Sequence, residues 1–529
     1  MNSNYKTGYF QTWRVRPIIL IVLLLISVGV RLPGLFSRSI WYDESVTLLE
    51  TAGHTLPVWP AKPSPARLAK VQFEGISGFS QIGDDLRAHD WHPPLYFWSV
   101  SIWKRWWGSS LNATRGFSLA CSVATILALY GLLCAARFEH AFIPTLIYAL
   151  SFSSVHFGQE ARAYALATLL IMLAALFAYL CSQAALQERG RHFAAYSVGM
   201  AICCGAAFLT HFLTLFSVSI ILVWFLAHVR PVLRLRVILP LILTGSFAVL
   251  GLFTRSGLHY GRPRLQPFGF LSEVRALVRM NLDLLWHPLI SGRWVYPTKC
   301  LLFVLVGTSA LLLFFQWPQT NRKLWLLVVG LVIAPSVGIM VLDLPSNWQL
   351  YEIRYLVWAG PALAIVAANG VVKLISSRPT WGWSLLAVLL LVQLTSINWG
   401  EEDAFVGVRW RSLAKIIQAS SSSSHVVVLG GGGVRAWFPA ALIYELDPNV
   451  MVAILRPELD VDKLAVEIER YDHVWVVCSP GDRIMSITRS IENKFLKRLQ
   501  ESGGYKQIAS YSSCPRCRPE WPALLLQKL

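Results

Sequence analysis

Charge is what this chain has least of. Asp, Glu, Lys and Arg make up 14% of its 529 residues, where a soluble protein carries roughly 25%. With 55% apolar residues and a mean hydropathy of +0.51, a water-soluble globular fold is excluded and a polytopic membrane protein is indicated. Acidic residues are scarcer than basic ones, 29 against 47, for a net charge of +18. In a membrane protein that surplus belongs to cytoplasmic loops, so no nucleic-acid partner follows from it. A cleavable signal is also missing, because residues 17–36 run too long and lack a small-residue cleavage site. They read as a retained first helix, preceded by Lys6, Arg14 and Arg16.

Metal-ligating patterns are sparse. Of nine cysteines, Cys121, Cys134, Cys181, Cys203 and Cys204 lie inside apolar runs, where the thiol acts as a small hydrophobe. Cys514-Pro-Arg-Cys517 is the one close pair, too few ligands for a zinc site. If the C-terminus lies outside the cytoplasm, a local disulfide is expected there. The run Gly430 to Gly433 lacks the G-x-G-x-x-G spacing of a dinucleotide site and reads as a tight strand-to-helix turn. No internal repeat of the kind common in transporters is visible.

What the chain does have is apolar stretches, at 17–36, 114–136, 141–157, 163–183, 194–210, 211–228, 237–254, 301–315, 324–343, 355–375 and 383–398. Basic clusters at Arg137, Arg189/Arg191, Arg230/Arg234/Arg236, Arg322/Lys323 and Arg378 fall in alternate loops. Length and charge together predict about eleven crossings, the N-terminus cytoplasmic and the C-terminal region outside. Residues 92–107 look apolar, but counting them as a crossing would invert every later loop. Short, rich in Trp and interrupted by Lys104-Arg105, they suit a helix lying in the interface plane. Residues 44–113 then form one large external loop of a membrane domain 1–399. Loop 255–300 is external yet rich in Arg, an exception to the charge rule that an anionic lipid headgroup would suit. From about 400 strand-like and helix-like segments alternate, predicting an extracytoplasmic α/β domain over 400–529.

Four motifs fall on the external side. Trp41-Tyr42-Asp43-Glu44-Ser45 follows the first helix, and Asp90-Trp91-His92-Pro93-Pro94 opens the interfacial one. Gly158-Gln159-Glu160-Ala161-Arg162-Ala163-Tyr164 follows the third crossing, and Glu352-Ile353-Arg354-Tyr355-Leu356 precedes a late helix with Pro361. A carboxylate pair where a helix leaves the bilayer is costly to keep without use. His211, alone between two apolar runs, ranks last among the candidates.

This ordered set resembles the GT-C superfamily of glycosyltransferases, and within it the bacterial relatives of the protein O-mannosyltransferases and of the aminoarabinose transferase of lipid A. The resemblance covers roughly residues 10–375. It implies transfer of a monosaccharide from a polyprenyl-phosphate donor to a protein, lipid or polysaccharide acceptor at the outer face of the inner membrane. By the same resemblance Asp43 matches the catalytic base and Glu44 its acidic neighbour, with Glu160 as the second-loop acid. His92, Arg162, Tyr164, Arg354 and Tyr355 would organise the donor phosphate. A divalent metal is conceivable on this reading, its ligands unknown. The acid-Lys-Pro sequence of the lipid A branch is absent, with Trp91-His92-Pro93 in its place, which leaves the sugar open. A flippase for a lipid-linked sugar, and a glycan ligase using a diphosphate carrier, remain alternatives.

Overall fold

The computed structural model describes residues 17–54, 56–60, 62–89, 92–229, 245–246, 262–263, 269–288, 295–315, 321–343, 348–349, 352–397, 399, 409–419, 424–430, 438–455, 460–478, 486–502, 504–512 and 522–529. Among them seven helices are long and apolar enough to cross a membrane: Pro17–Ser37, Leu111–Ala135, Tyr164–Leu186, Gly190–Thr210, Val295–Leu312, Arg322–Asp343 and Val357–Ser377. Two shorter apolar helices, Phe212–His228 and Pro379–Leu394, accompany them. The chain is a multi-pass membrane protein.

One expected crossing is not a single helix. The stretch 141–157 is split into Phe142–Leu150 and Phe152–Gly158, nine and seven residues long. Ser151 makes the break: its backbone is extended (φ −65°, ψ 148°) and its hydroxyl accepts from Ser154 N, capping the second helix. The stretch 237–254 lies almost wholly outside the described residues, as do Cys514, Cys517 and Gly431 to Gly433. Helix Leu95–Trp107, with 13 residues, is too short to span a bilayer, which takes about 20.

Packing divides the chain into two units. One comprises Met1–Pro33, Trp91–Tyr96 and Arg115–Ile397; the other comprises Gly34–Asp90, Phe97–Thr114 and Asn398–Leu529. The boundary therefore differs from the division at residue 399 read from composition, because most of the large loop joins the C-terminal segment. Backbone pairing is the reason: Ser64 and Pro65 pair antiparallel with Val452 and Met451. Arg411 adds to it, with Nη1 donating to the carbonyls of Phe36 (2.8 Å) and Ser37 (3.1 Å) and Nε to Glu445 (3.0 Å).

The second unit is built on a six-stranded sheet in the order Ser64–Pro65, Met451–Leu455, His425–Gly430, His473–Val477, Pro522–Lys528, Tyr505–Ser512. The three inner strands from 425 to 477 are parallel, with Val427 opposite Val452 and Trp475. Their near-continuous Val, Ile and Leu content fits strands buried on both faces. Helices Val461–Ile468 and Ser486–Ser502 cover one face through Leu464, Ile468, Phe495 and Leu499.

In the first unit a buried arginine ties the helices together. Arg31 donates to Ser27 O (2.6 Å), Ser122 Oγ (3.0 Å), Ser154 Oγ (2.6 Å) and Ala149 O (3.1 Å). Gly158 lies against it: a Cβ there would meet Ser122 at 2.8 Å and the Arg31 Nε at 3.1 Å. Only glycine permits that approach.

Candidate active site

The turn 159–163 presents the third motif. It links helix Phe152–Gly158 to helix Tyr164–Leu186 and is anchored by Gln159 Nε2, which donates to Arg31 O at 3.0 Å. Arg162 is buried, its backbone N–H bonded to Glu160 O. Its Nη2 lies 3.0 Å from His92 Nε2. A guanidinium has only donors, so His92 accepts at Nε2 and carries its own proton on Nδ1. The sequence separates these two residues by seventy positions; the fold joins them.

His211 occupies the centre of this group. It follows span Gly190–Thr210, where the backbone turns extended (φ −157°, ψ 123°). Its Nδ1 accepts from Leu213 N at 3.3 Å, and its carbonyl accepts from Thr214 Oγ1 at 2.8 Å. Around the ring stand Trp358 (5.1 Å between centroids), Tyr355 (5.7 Å), Tyr164 (6.0 Å) and His92 (6.1 Å). Burial, reinforced by His92, Arg162 and Arg354, holds its pKa well below that of a free imidazole.

Arg354 and Tyr355 sit in the first of two 3-10 turns, Ile353–Tyr355 and Val357–Ala359, that lead into helix Gly360–Ser377. Pro361 stands at its beginning, where a missing N–H costs nothing. The Arg354 guanidinium lies over the Tyr355 ring at 5.4 Å and is ion-paired to Glu352.

Glu160 is buried with His156, whose Nε2 is 3.5 Å from Glu160 Oε2. His156 lies four residues before Glu160, near the end of helix Phe152–Gly158. His156 stacks on Phe152, which also packs on His287. His287 and Lys299 both approach the buried carboxylate of Asp283, at 3.7 Å and 2.6 Å. These pairs are the nearest approach to a metal site: among the described residues no three His, Cys, Asp or Glu side chains converge.

Asp43 and Glu44 belong to the other unit, in the first turn of helix Tyr42–Ala52, and both are buried. Glu44 closes its own helix, accepting from Trp41 N at 2.9 Å, as a carboxylate at the third helical position does. Gly53 ends the helix with φ +88°, a left-handed conformation suited to glycine. Its last turn is held from helix Leu95–Trp107, where the buried Lys104 Nζ donates to Thr51 Oγ1 at 2.6 Å. Burial brings the Lys104 pKa down to about 8.

His92, Arg162, Tyr164, Arg354 and Tyr355 are thus gathered around one ring, while Glu160 stands beside them on its own histidine. His211, ranked last of the candidates from sequence, and Trp358, which was not among them, join the group. Both are hidden in apolar sequence; the available signal was the helix break at Thr210-His211.

The architecture is similar in fold to solved structures, in line with the GT-C-like fold expected from the motifs. ArnT from Cupriavidus metallidurans in the apo state superposes with a TM-score of 0.53 at 12% identity, over 97% of this chain and 98% of that one. The same protein bound to undecaprenyl phosphate gives 0.50 at 13% identity, over 97% and 98%. The archaeal oligosaccharyltransferase AglB from Archaeoglobus fulgidus, in complex with an inhibitory peptide and a dolichol-phosphate, gives 0.50 at 11% identity, over 89% and 70%. No family model matches the sequence. No curated protein matches it either.

Proposed function

We propose that this chain transfers a monosaccharide from a polyprenyl-phosphate donor to a hydroxyl-bearing acceptor on the outer face of the inner membrane. One observation carries the reading: His92, Arg162 and Arg354 converge with Tyr164, Tyr355 and His211 where apolar helices end. Cations for a phosphate beside apolar surface for its isoprenoid tail are what a lipid phosphate requires. Undecaprenyl phosphate in ArnT and dolichol-phosphate in AglB are ligands of that chemistry.

In this reading Asp43 is the general base. A hydroxyl is a weak nucleophile at neutral pH. As its oxygen attacks the anomeric carbon, its proton passes to the Asp43 carboxylate. The bond from that carbon to the phosphate oxygen breaks, and polyprenyl phosphate leaves with the electron pair. Arg162, Arg354 and His92 take up the charge developing on it. In-line attack inverts the anomeric centre. Glu44 fixes the helix start that carries Asp43, and Glu160 orders the Arg162 turn through His156. In this reading the N-terminus lies in the cytoplasm and the segment 400–529 outside.

The test is transfer of radiolabelled sugar from polyprenyl-phosphate donors by purified wild type and Asp43→Asn across protein, lipid and polysaccharide acceptors. Wild type should release polyprenyl monophosphate, and Asp43→Asn should bind donor without turnover. Release of diphosphate would point to a glycan ligase. Donor binding without consumption by wild type would point to a flippase.

A further inference from the structure

His211 has two ring nitrogens with different fates. Nδ1 is committed as an acceptor from Leu213 N–H, which leaves the ring proton of the neutral tautomer on Nε2. Among the described residues no group accepts that proton. The ring is buried and set by Tyr164, Tyr355 and Trp358. It also neighbours His92, which is bonded to Arg162. That N–H is free to meet a ligand, and the guanidinium groups of Arg162 and Arg354 nearby would attract an anion.

Resting on the lipid-phosphate reading above, we propose that His211 is a direct ligand of the donor phosphate, giving it the Nε2–H. The neutral ring suits this place. A further positive charge beside Arg162 and Arg354 would repel them before the anion arrives, whereas a neutral donor adds a directed hydrogen bond at no such cost. The surrounding burial and cations keep the imidazole neutral at physiological pH. His211 thereby becomes a phosphate-orienting residue and not merely a helix-breaking one.

Two substitutions separate the nitrogens. His211→Asn keeps an acceptor for Leu213 N–H, as asparagine does at a helix start, but loses the distal donor. His211→Gln places an amide N–H near the former Nε2. The measurement is binding of tritiated undecaprenyl phosphate to the full chain in nanodiscs, with Arg162→Gln alongside and thermal unfolding as the control for folding. His211→Asn should weaken binding about tenfold, the loss of one hydrogen bond to a charged group. His211→Gln should recover to within about threefold of wild type, and Arg162→Gln should lose about a hundredfold.

Wild-type affinity in His211→Asn together with the loss in Arg162→Gln would overturn the role of His211 and leave the phosphate site standing. Unchanged binding in all three variants, or no binding by wild type, would remove the site and this proposal with it. Should His211→Asn not fold, His211→Phe keeps the ring packing without either nitrogen and carries the same tenfold expectation.

Discussion

Arg31 and Arg162 are both buried arginines of the same unit, and their surroundings differ in kind. Arg31 is met by two carbonyls and two hydroxyls, each within 3.1 Å. Arg162 faces the nitrogen of His92, with a second imidazole and a second guanidinium close by. The first arrangement satisfies a cation with neutral acceptors and welds helices together. The second sets two guanidiniums and two imidazoles close together, a group that serves an anionic ligand better than it serves the fold. Burial alone does not distinguish a structural arginine from a binding one; the identity of the partners does.

The comparison is broken most directly at Arg31. Arg31→Leu strands two hydroxyls and two carbonyls in a dry site, a loss of roughly 3–5 kcal/mol. The membrane unit should melt well below wild type or fail to accumulate. Gly158→Ala probes the same knot through sterics, since the new methyl meets Ser122 and Arg31. About 1–3 kcal/mol of destabilisation is expected from such overpacking, measured as a lowered melting temperature with donor affinity retained in the folded fraction. Arg162→Gln should do the reverse, with melting within a degree or two of wild type and undecaprenyl phosphate binding lost. Equal effects on melting from Arg31→Leu and Arg162→Gln would erase the distinction.

Lys104 sharpens it from the other unit, as a buried cation held by a hydroxyl. Its folded pKa of about 8 lies below its ordinary value of 10.5, so the unfolded chain binds the proton more tightly. Stability from this group therefore rises as pH climbs from about 8 to 10.5. Lys104→Met should melt higher than wild type at pH 7, and the gap should narrow through that window. A gap independent of pH would mean that the ammonium is not held out of water.

The motif order was readable because each motif is local: an acid pair after the first apolar run, a His-Pro-Pro, a Glu-x-Arg, an Arg-Tyr. So were the strands from 425 to 528, marked by runs such as His425-Val-Val-Val-Leu429. Glu44 as a helix-closing carboxylate was also there to be read, three residues after Trp41. What escaped was non-local. His211 gains its meaning only from Tyr164, Tyr355 and Trp358, none of them its neighbour in the chain. The break at Ser151 was masked by the hydrophobicity of the residues around it, since hydropathy measures preference for lipid and not continuity of a helix.

Ser64 and Pro65 have a consequence for how the protein is made. Their partner strand is translated nearly four hundred residues later, and the carbonyls of Phe36 and Ser37 likewise wait for Arg411. Contacts so distant along the chain form late, after many membrane helices have emerged from the ribosome. The segment 36–65 therefore spends most of synthesis without the partners it finally bonds. A ribosome halted near residue 400 would leave it in that state for good.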